Sequence, residues 1–447
     1  MNKYFPHTEG DIKEMLDKIG VYQVEDLFKD IPSSVIHQKP FNLPSALSET
    51  EIREEMAKIS GRNQKMVSFL GAGSYDVYTP SVINALTSRQ EFLTSYTPYQ
   101  PEISQGNLQY IFEFQSMICE LTGLDVANAS VYDGSTATAE AMFMAVVHTK
   151  RNKMLISKTL NPRIIDVIKT YAHFRDVELE FIDEENNQTS KTSLLAHLDD
   201  QVAGVIVQNP NFYGVIENLD GLAEPIHANK SLFIMNVDPS TLAVLKTPGE
   251  IGADIACGDG QTLGIPTSFG GPYVGFMAAT SALVRRLPGR IVGATTDLDG
   301  KRGFVLTLQA REQHIRREKA NSNICSNQSL MALHTVIYMS LLGKTGLAAV
   351  AKQAYNNAHY LCEALVKTKM FEKVNKNPFF KEFVLKSKVN VGELNKYLGT
   401  LGILSGLNLG EINPKLQNQI LFCATEMRSK EQMDDLVRKV EDFKNVR

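Results

Sequence analysis

Between Met154 and Ala279 the chain repeats one pattern: a short apolar run, a turn, then a helix-length stretch of mixed polarity. The runs are MLIS (154–157), VAGVIVQ (202–208), SLFIMNVD (231–238), ADIACGD (253–259) and YVGFMAA (273–279), with VELEFID alternating Val177, Leu179 and Phe181. Continuous apolar runs of strand length fit strands buried on both faces, the state of a parallel sheet covered by helices. After the first run, Asn161 and Pro162 supply an N-cap and a first-turn proline, and Ile164, Ile165, Ile168 and Tyr171 recur at helical spacing. The expected fold is α/β, built on a large, mainly parallel sheet.

The flanks follow other patterns. Ile12, Met15, Leu16 and Ile19 lie on one helical face that stops at Gly20, and similar short helices are expected up to about residue 65. Beyond REQHIRREKANSN a long apolar helix begins near Gln328, followed by the strand candidates EFVLK and ILFCATE. The last segment opens with Ser429 and Gln432 as a capping box, then sets Met433, Leu436, Val437 and Val440 on one face. These patterns divide the chain into an N-terminal helical segment (1–65), a large α/β domain (66–325) and a small C-terminal α+β domain (326–447). No short-period repeat or low-complexity linker interrupts them.

Composition narrows the function classes. At 447 residues, 43% hydrophobic and 21% charged, the chain has the make-up of a folded globular protein. A net charge of −4 gives no basic field to attract nucleic acid or anionic lipid. The N-terminus carries no apolar stretch of signal-peptide length, and LMALHTVIYMSLLG is too short, and too interrupted by His334, to span a bilayer; a cytoplasmic location is expected. Five cysteines without a CxxC pair point to reduced, mostly buried thiols, with Cys257 and Cys325 as packing residues. The histidines show no HExxH or paired spacing, so no metal site is expected.

Several segments could carry chemistry or contacts. In ASVYDGSTATAEA, Asp133, Gly134, Ser135 and Thr136 begin a helix, where free N–H groups could bind a phosphate or Asp133 could simply cap. Asp238 closes an apolar strand, where its carboxylate could pair with a protonated ring nitrogen or cap the turn that follows. Gly270 and Gly271 could admit a ligand's close approach or serve only a turn. In SYTPYQPEISQGNLQ, Tyr96, Pro98, Tyr99 and Pro101 make a stiff aromatic loop with Glu102, Ser104 and Gln105 as polar tips. Such a loop suits an interface anchor, or it packs on its own helix. The run REQHIRREK could receive an acidic partner; the simpler reading is a solvated helix face with local ion pairs.

Taken in order, FLGAGSYDVYTPSVI, FLTSYTPYQPEISQGNLQYIFEFQ, VYDGSTATAEA and REQHIRREKANSNICSNQSLMALH resemble the P-protein family of the glycine cleavage system. The resemblance runs nearly end to end and is to the α subunits of lineages in which P-protein is split into two chains. It implies the fold-type-I architecture of pyridoxal-phosphate enzymes, with a large α/β domain and a small C-terminal domain. It also exposes a departure. The family's Schiff-base lysine precedes a threonine and a glycine-rich loop; here GDGQTLGIPTSFGG places Gln261 at that position, and an amide cannot form a Schiff base. Lys246 lies on the preceding crossover, off the family position.

The resemblance therefore implies a chain with no catalytic residue of its own. Ser135, Thr136, Asp238 and Gln261 would form a vestigial pocket, and Tyr96, Tyr99, Glu102 and Gln105 would face the β subunit or the substrate path. Pyridoxal phosphate would reside on the β subunit of an α2β2 assembly that decarboxylates glycine and passes the aminomethyl group to the lipoyl group of H-protein, releasing CO2. Two other readings stand beside it: a non-catalytic scaffold or regulatory subunit, and a self-sufficient pyridoxal-phosphate enzyme using Lys246.

Overall fold

The structure is a computed structural model that describes residues 4–37, 39, 41–320 and 322–445. The chain divides into two compact units, one up to Gln64 and one from Lys65 onward.

In the first unit, helix α1 (Glu9–Ile19) starts at a capping box between Thr8 and Asp11 and ends where Gly20 takes a left-handed conformation, φ 85°. A 3-10 turn follows at Val24–Phe28, and helix α2 (Glu49–Ser60) starts at a second box between Ser48 and Glu51. None of the described residues of this unit is buried.

The second unit is built on a seven-stranded sheet. Its strands are β1 (Val126–Ala127), β2 (Lys153–Ser157), β3 (Glu178–Ile182), β4 (Val202–Asn209), β5 (Leu232–Val237), β6 (Ile255–Asp259) and β7 (Gly275–Ala279). They lie in the order β1-β7-β6-β5-β4-β2-β3. Strands β2 to β6 pair in parallel. β7 runs against both of its neighbours, β6 and β1. Only a 3-10 turn at Gly260–Thr262 and irregular backbone separate β6 from β7, so no crossover helix carries the chain back to a parallel start.

Side chains alternate between two cores. Leu155, Val205, Phe233 and Phe276 face one, and Met154, Ile156, Ile206 and Ile234 face the other. Covering both faces explains why these strands are apolar at consecutive positions. Helix α3 (Gln105–Thr122) sends Phe114 and Ile118 into the first core. Helix α4 (Gly134–Thr149) is buried over most of its circumference, which accounts for its alanine and methionine content. Helix α5 (Pro162–His173) buries only Ile164, Ile168 and Ala172.

Helix α6 (Ser329–Lys367) leaves helical geometry at Gly343, φ 56°. At 39 residues it is long and apolar enough to cross a bilayer, which the short run around His334 alone did not suggest. Here its first half packs inside protein: His334 is buried with Nε2 2.8 Å from the Gly264 carbonyl, and Tyr338 and Met339 are buried beside it. A four-stranded antiparallel sheet follows, with Glu382–Ser387 between Phe371–Lys373 and Gln419–Cys423, and Leu407–Asn408 at the edge. The last helix, Lys430–Asn445, begins at the expected box between Ser429 and Gln432. Val67 and Ser68 pair in parallel with Ile403 and Leu404, so the chain just after residue 65 joins the C-terminal layer.

Phe233 is fully buried near the start of β5. Phe233→Ala should destabilise the chain by about 3–5 kcal/mol, seen as a lower urea midpoint with an unchanged slope.

Candidate functional site

The crevice outside the carboxyl ends of parallel strands is where α/β sheets present groups to ligands. Asp238 follows β5 there, and Gln261 sits in the 3-10 turn after β6. Of the two roles its sequence context allows, Asp238 plays the cap, and its other oxygen meets an ammonium. Its Oδ1 accepts from the Ser240 N–H (3.0 Å) and hydroxyl (2.8 Å), capping the next turn, and from the Thr262 hydroxyl (2.7 Å). Its Oδ2 lies 2.5 Å from the Lys381 ammonium, which arrives from the far side just ahead of the Glu382–Ser387 strand. Burial pushes the Asp238 carboxyl upward, yet the Lys381 charge and these hydrogen bonds hold it below the usual carboxylate range. Burial alone would lower the Lys381 pKa; the Asp238 charge raises it above the ordinary lysine value.

Tyr75 closes the arrangement. The Lys381 ammonium stands 3.8 Å from the centre of its ring, within cation–π range. Its hydroxyl donates to Glu382 Oε2 (2.8 Å), while Glu382 Oε1 accepts the Ala72 N–H (2.6 Å). Gln261 grips the Tyr75 backbone from both sides: Oε1 accepts the Tyr75 N–H (3.0 Å), and Nε2 donates to the carbonyls of Tyr75 (2.8 Å) and Ile265 (2.6 Å). The approach of the C-terminal layer depends on Gly214, φ 79°, where a Cβ would fall 2.0 Å from the Glu382 carbonyl oxygen.

The start of α4 is tied to the same turn through Asp259. Its Oδ2 accepts the Gly134 N–H (3.0 Å) and its Oδ1 the Gln261 N–H (2.9 Å), while burial pushes its pKa up to about 7. Asp133 caps α4 by accepting the Thr136 N–H at 2.8 Å. Thr136 is buried and Ser135 half-buried at the helix start. Asp238 and Gln261 are thus brought together around Tyr75, while Ser135 and Thr136 connect to them only through Asp259. Sequence reasoning singled out none of Tyr75, Asp259, Lys381 or Glu382. Three of them had a signal in their place: Tyr75 lies in the quoted segment FLGAGSYDVYTPSVI, Asp259 two residues ahead of Gln261 in GDGQTLGIPTSFGG, and Glu382 opens the strand candidate EFVLK.

Pyridoxal phosphate does not fit here. Asp238 offers its carboxylate not to a ring nitrogen but to Lys381, and Gln261 has both ends of its amide engaged with backbone. The remaining cavity, lined by Tyr75, Gln208, Pro210, Asp238, Lys381 and Glu382, is about 20 Å³, room for about one water molecule. Lys246, the other lysine considered, pairs with Asp220 at 2.8 Å in an exposed ion pair.

The second group of expected residues lies elsewhere. Tyr96 is 82% exposed, and Tyr99 and Glu102 are exposed. Tyr99 accepts a hydrogen bond from Arg290 (3.2 Å) and meets the His314 ring edge-on at 5.6 Å. Gln105 is a tie rather than a polar tip: its amide trades two hydrogen bonds with the Phe304 backbone, at 2.8 and 2.9 Å. The basic run is solvated from Gln313 to Lys319, with His314 3.6 Å from Glu312, but it is not one helix face. It breaks into three short turns over 309–319, and the Arg311 guanidinium turns inward onto the carbonyls of Leu287, Gly289 and Leu308. Cys257 is buried as expected, whereas Cys325 is exposed because its segment lies ahead of α6 rather than within a core. Among the described residues no group of three or more His, Cys, Asp or Glu is gathered in metal-binding proximity.

A doubly covered sheet with a strand-end carboxylate and a C-terminal α+β layer defines the class: the fold of type-I pyridoxal-phosphate enzymes. Among solved structures, a glutamate decarboxylase from Lactobacillus brevis shares it at TM-score 0.69 and 11% identity, covering 93% of this chain and 96% of that one. The family is narrower. The family model described as glycine cleavage system P-protein matches residues 2–440. The chain is 50% identical over 446 residues to the probable glycine dehydrogenase (decarboxylating) subunit 1 of Anoxybacillus flavithermus, covering 99% of each. Its counterpart from Moorella thermoacetica is 50% identical, over 97% of this chain and 98% of that one. A crystal structure of glycine decarboxylase (P-protein) in inhibitor-bound form matches at TM-score 0.90 and 42% identity, over 98% of this chain and 99% of that one. The chain belongs to the P-protein family of the glycine cleavage system.

Two outcomes follow from the Lys381 bridge. Lys381→Met should cost about 3–5 kcal/mol in urea unfolding at neutral pH, because it strands a largely buried carboxylate, and adding Asp238→Asn should recover most of that loss. Gln261→Lys by itself should trap no pyridoxal phosphate on borohydride reduction, whereas Gln261→Lys with Lys381→Met should trap it. Equal trapping by both would show that Lys381 does not bar the crevice.

Proposed function

We propose that this chain is the α subunit of a split P-protein. With a β subunit it decarboxylates glycine and transfers the aminomethyl group to the lipoyl group of H-protein, releasing CO2, as an oxidoreductase component of glycine cleavage. The full-length likeness to relatives named as subunit 1 supports that role. The observation that supports the division of labour is the Lys381 ammonium on Asp238, with the Gln261 amide held by the Tyr75 backbone where the family resemblance expects the Schiff-base lysine. Pyridoxal phosphate supplies the electron sink for decarboxylation when bound, and we assign it to the β subunit of an α2β2 assembly in the cytoplasm.

The contribution of this chain is to position and cover. The aromatic loop around Tyr96, held to the Ile291–Thr296/Arg302–Thr307 hairpin by Gln105 and to Arg290 by Tyr99, presents a stiff exposed surface to the β subunit. Its place there would shape the route by which glycine and the lipoyl arm reach the cofactor. The filled crevice also favours a second reading, a scaffold that only keeps a catalytic partner correctly shaped.

One reconstitution separates the two. The chain alone should release no CO2 from glycine and trap no cofactor, and activity and trapping should appear with the β subunit. Tyr96→Ala with Tyr99→Ala should lower glycine-dependent turnover about tenfold, the loss of ~1.4 kcal/mol at one contact. Unchanged turnover with unchanged assembly would remove the loop from the route and leave the scaffold.

A further inference from the structure

Apart from the filled crevice at Asp238, helices α4 and α5 and the segment ahead of α6 border a second one of about 270 Å³. Its walls are aromatic. Tyr132 stands just ahead of α4, Phe143 within it, and Tyr171 and Phe174 at the end of α5. The Phe143 and Tyr171 rings lie 6.0 Å apart at 35°, and Phe174, 78% exposed, meets the His173 ring edge-on at 5.0 Å. The crevice is smaller than the ~300–1,000 Å³ of pockets for drug-sized ligands. It suits a small group.

One carboxylate sits among these rings. Glu140 lines the crevice from α4 while only 6% exposed, in a helix whose other buried residues are all uncharged. Its Oε1 accepts from the Ser322 hydroxyl at 2.9 Å, and that hydroxyl accepts the Ile324 N–H at 3.2 Å. Among the described residues Oε2 accepts no hydrogen bond and Glu140 makes no ion pair. Arg175, also on the lining, places its guanidinium over the Phe143 ring, 5.1 Å from its centre. Burial pushes the Glu140 carboxyl up to about 7, against smaller downward pulls from Ser322 and the Arg175 charge.

Holding Ser322 requires no charge, since a glutamine oxygen would accept the same hydroxyl. What the carboxylate adds is a negative charge, and one so buried is costly unless a cation joins it. The rings favour the same sign, because aromatic faces attract cations, as Arg175 over Phe143 shows. An anion would be repelled by Glu140, and an apolar group would leave Oε2 unmet. We propose that this crevice is an amine site, taking a primary ammonium group with Glu140 as its counter-charge and the rings around its carbon chain. The ammonium comes either from a small amine in solution or from a lysine of the partner subunit. Only the second source rests on the reading above, since a free amine needs no partner.

Titration calorimetry with butylammonium, a lysine side chain without its backbone, tests it on the full chain. The free-amine form predicts saturable binding, at least tenfold weaker in Glu140→Gln, which keeps the Ser322 bond and loses the charge. Phe174→Ala, at an exposed position, should weaken it as much by opening one wall. Uncharged 1-butanol should bind at least tenfold more weakly than butylammonium, and the exposed Lys246→Gln should change nothing. The partner-borne form predicts no butylammonium binding by the chain alone, but at least tenfold weaker assembly with the β subunit for the same two variants. Either pattern supports the site and tells the sources apart. Butanol binding as tightly as butylammonium, or butylammonium binding unchanged in both variants, would overturn it. So would the absence of saturable binding together with unchanged assembly. Glycine-dependent turnover of the unsubstituted chain with its β subunit reads the P-protein role separately, so the two ideas fail by different measurements.

Discussion

The ion pair between Asp238 and Lys381 organises the centre of this molecule. It joins the strand-end crevice of the parallel sheet to the C-terminal layer, with Lys381 buried and the Asp238 side chain 15% exposed. Ions so placed lose hydration worth several kcal/mol each, which their attraction returns only if the remaining lone pairs and protons are satisfied. Here Ser240 and Thr262 serve one carboxylate oxygen, and the Tyr75 ring faces the ammonium. Tyr75 in turn is fixed by Gln261 and Glu382, so the pair, the ring and the amide form one closed set.

The set also explains why Gln261 is suited to its place. A lysine there would bring a second ammonium towards Lys381 and would lose the two-sided grip on the Tyr75 backbone. The amide needs no counter-charge and satisfies three backbone groups at once. With Asp259 joining Gly134 to the Gln261 turn, the start of α4 is held by protein groups alone.

Much of the sheet was legible in the sequence, because strands buried on two faces must be apolar at consecutive positions, and Leu155 and Ile156 show it within one strand. The antiparallel course of β7 was not, since an apolar run carries no direction and only the missing crossover helix gives it away. At the site, Asp238 and Gln261 were visible as single residues. Lys381 was not, because a lysine beside a strand has the same composition whether it meets water or a carboxylate from a distant segment. Gln105 misled for a similar reason: an amide that replaces a strand neighbour along Phe304 looks like any polar loop residue. The basic run misled because charge alone does not tell that Arg311 turns onto buried carbonyls.

The Lys381 bridge has a historical side. A binding site that falls idle can regain its ligand by a single substitution as long as the space stays open. Once a side chain of the same polypeptide has taken the ligand's place, restoring the lysine meets a barrier, and removing the plug first exposes a buried charge. Under the proposed division of labour each step alone is a loss, so the two halves of a divided enzyme would not easily drift back into equivalence.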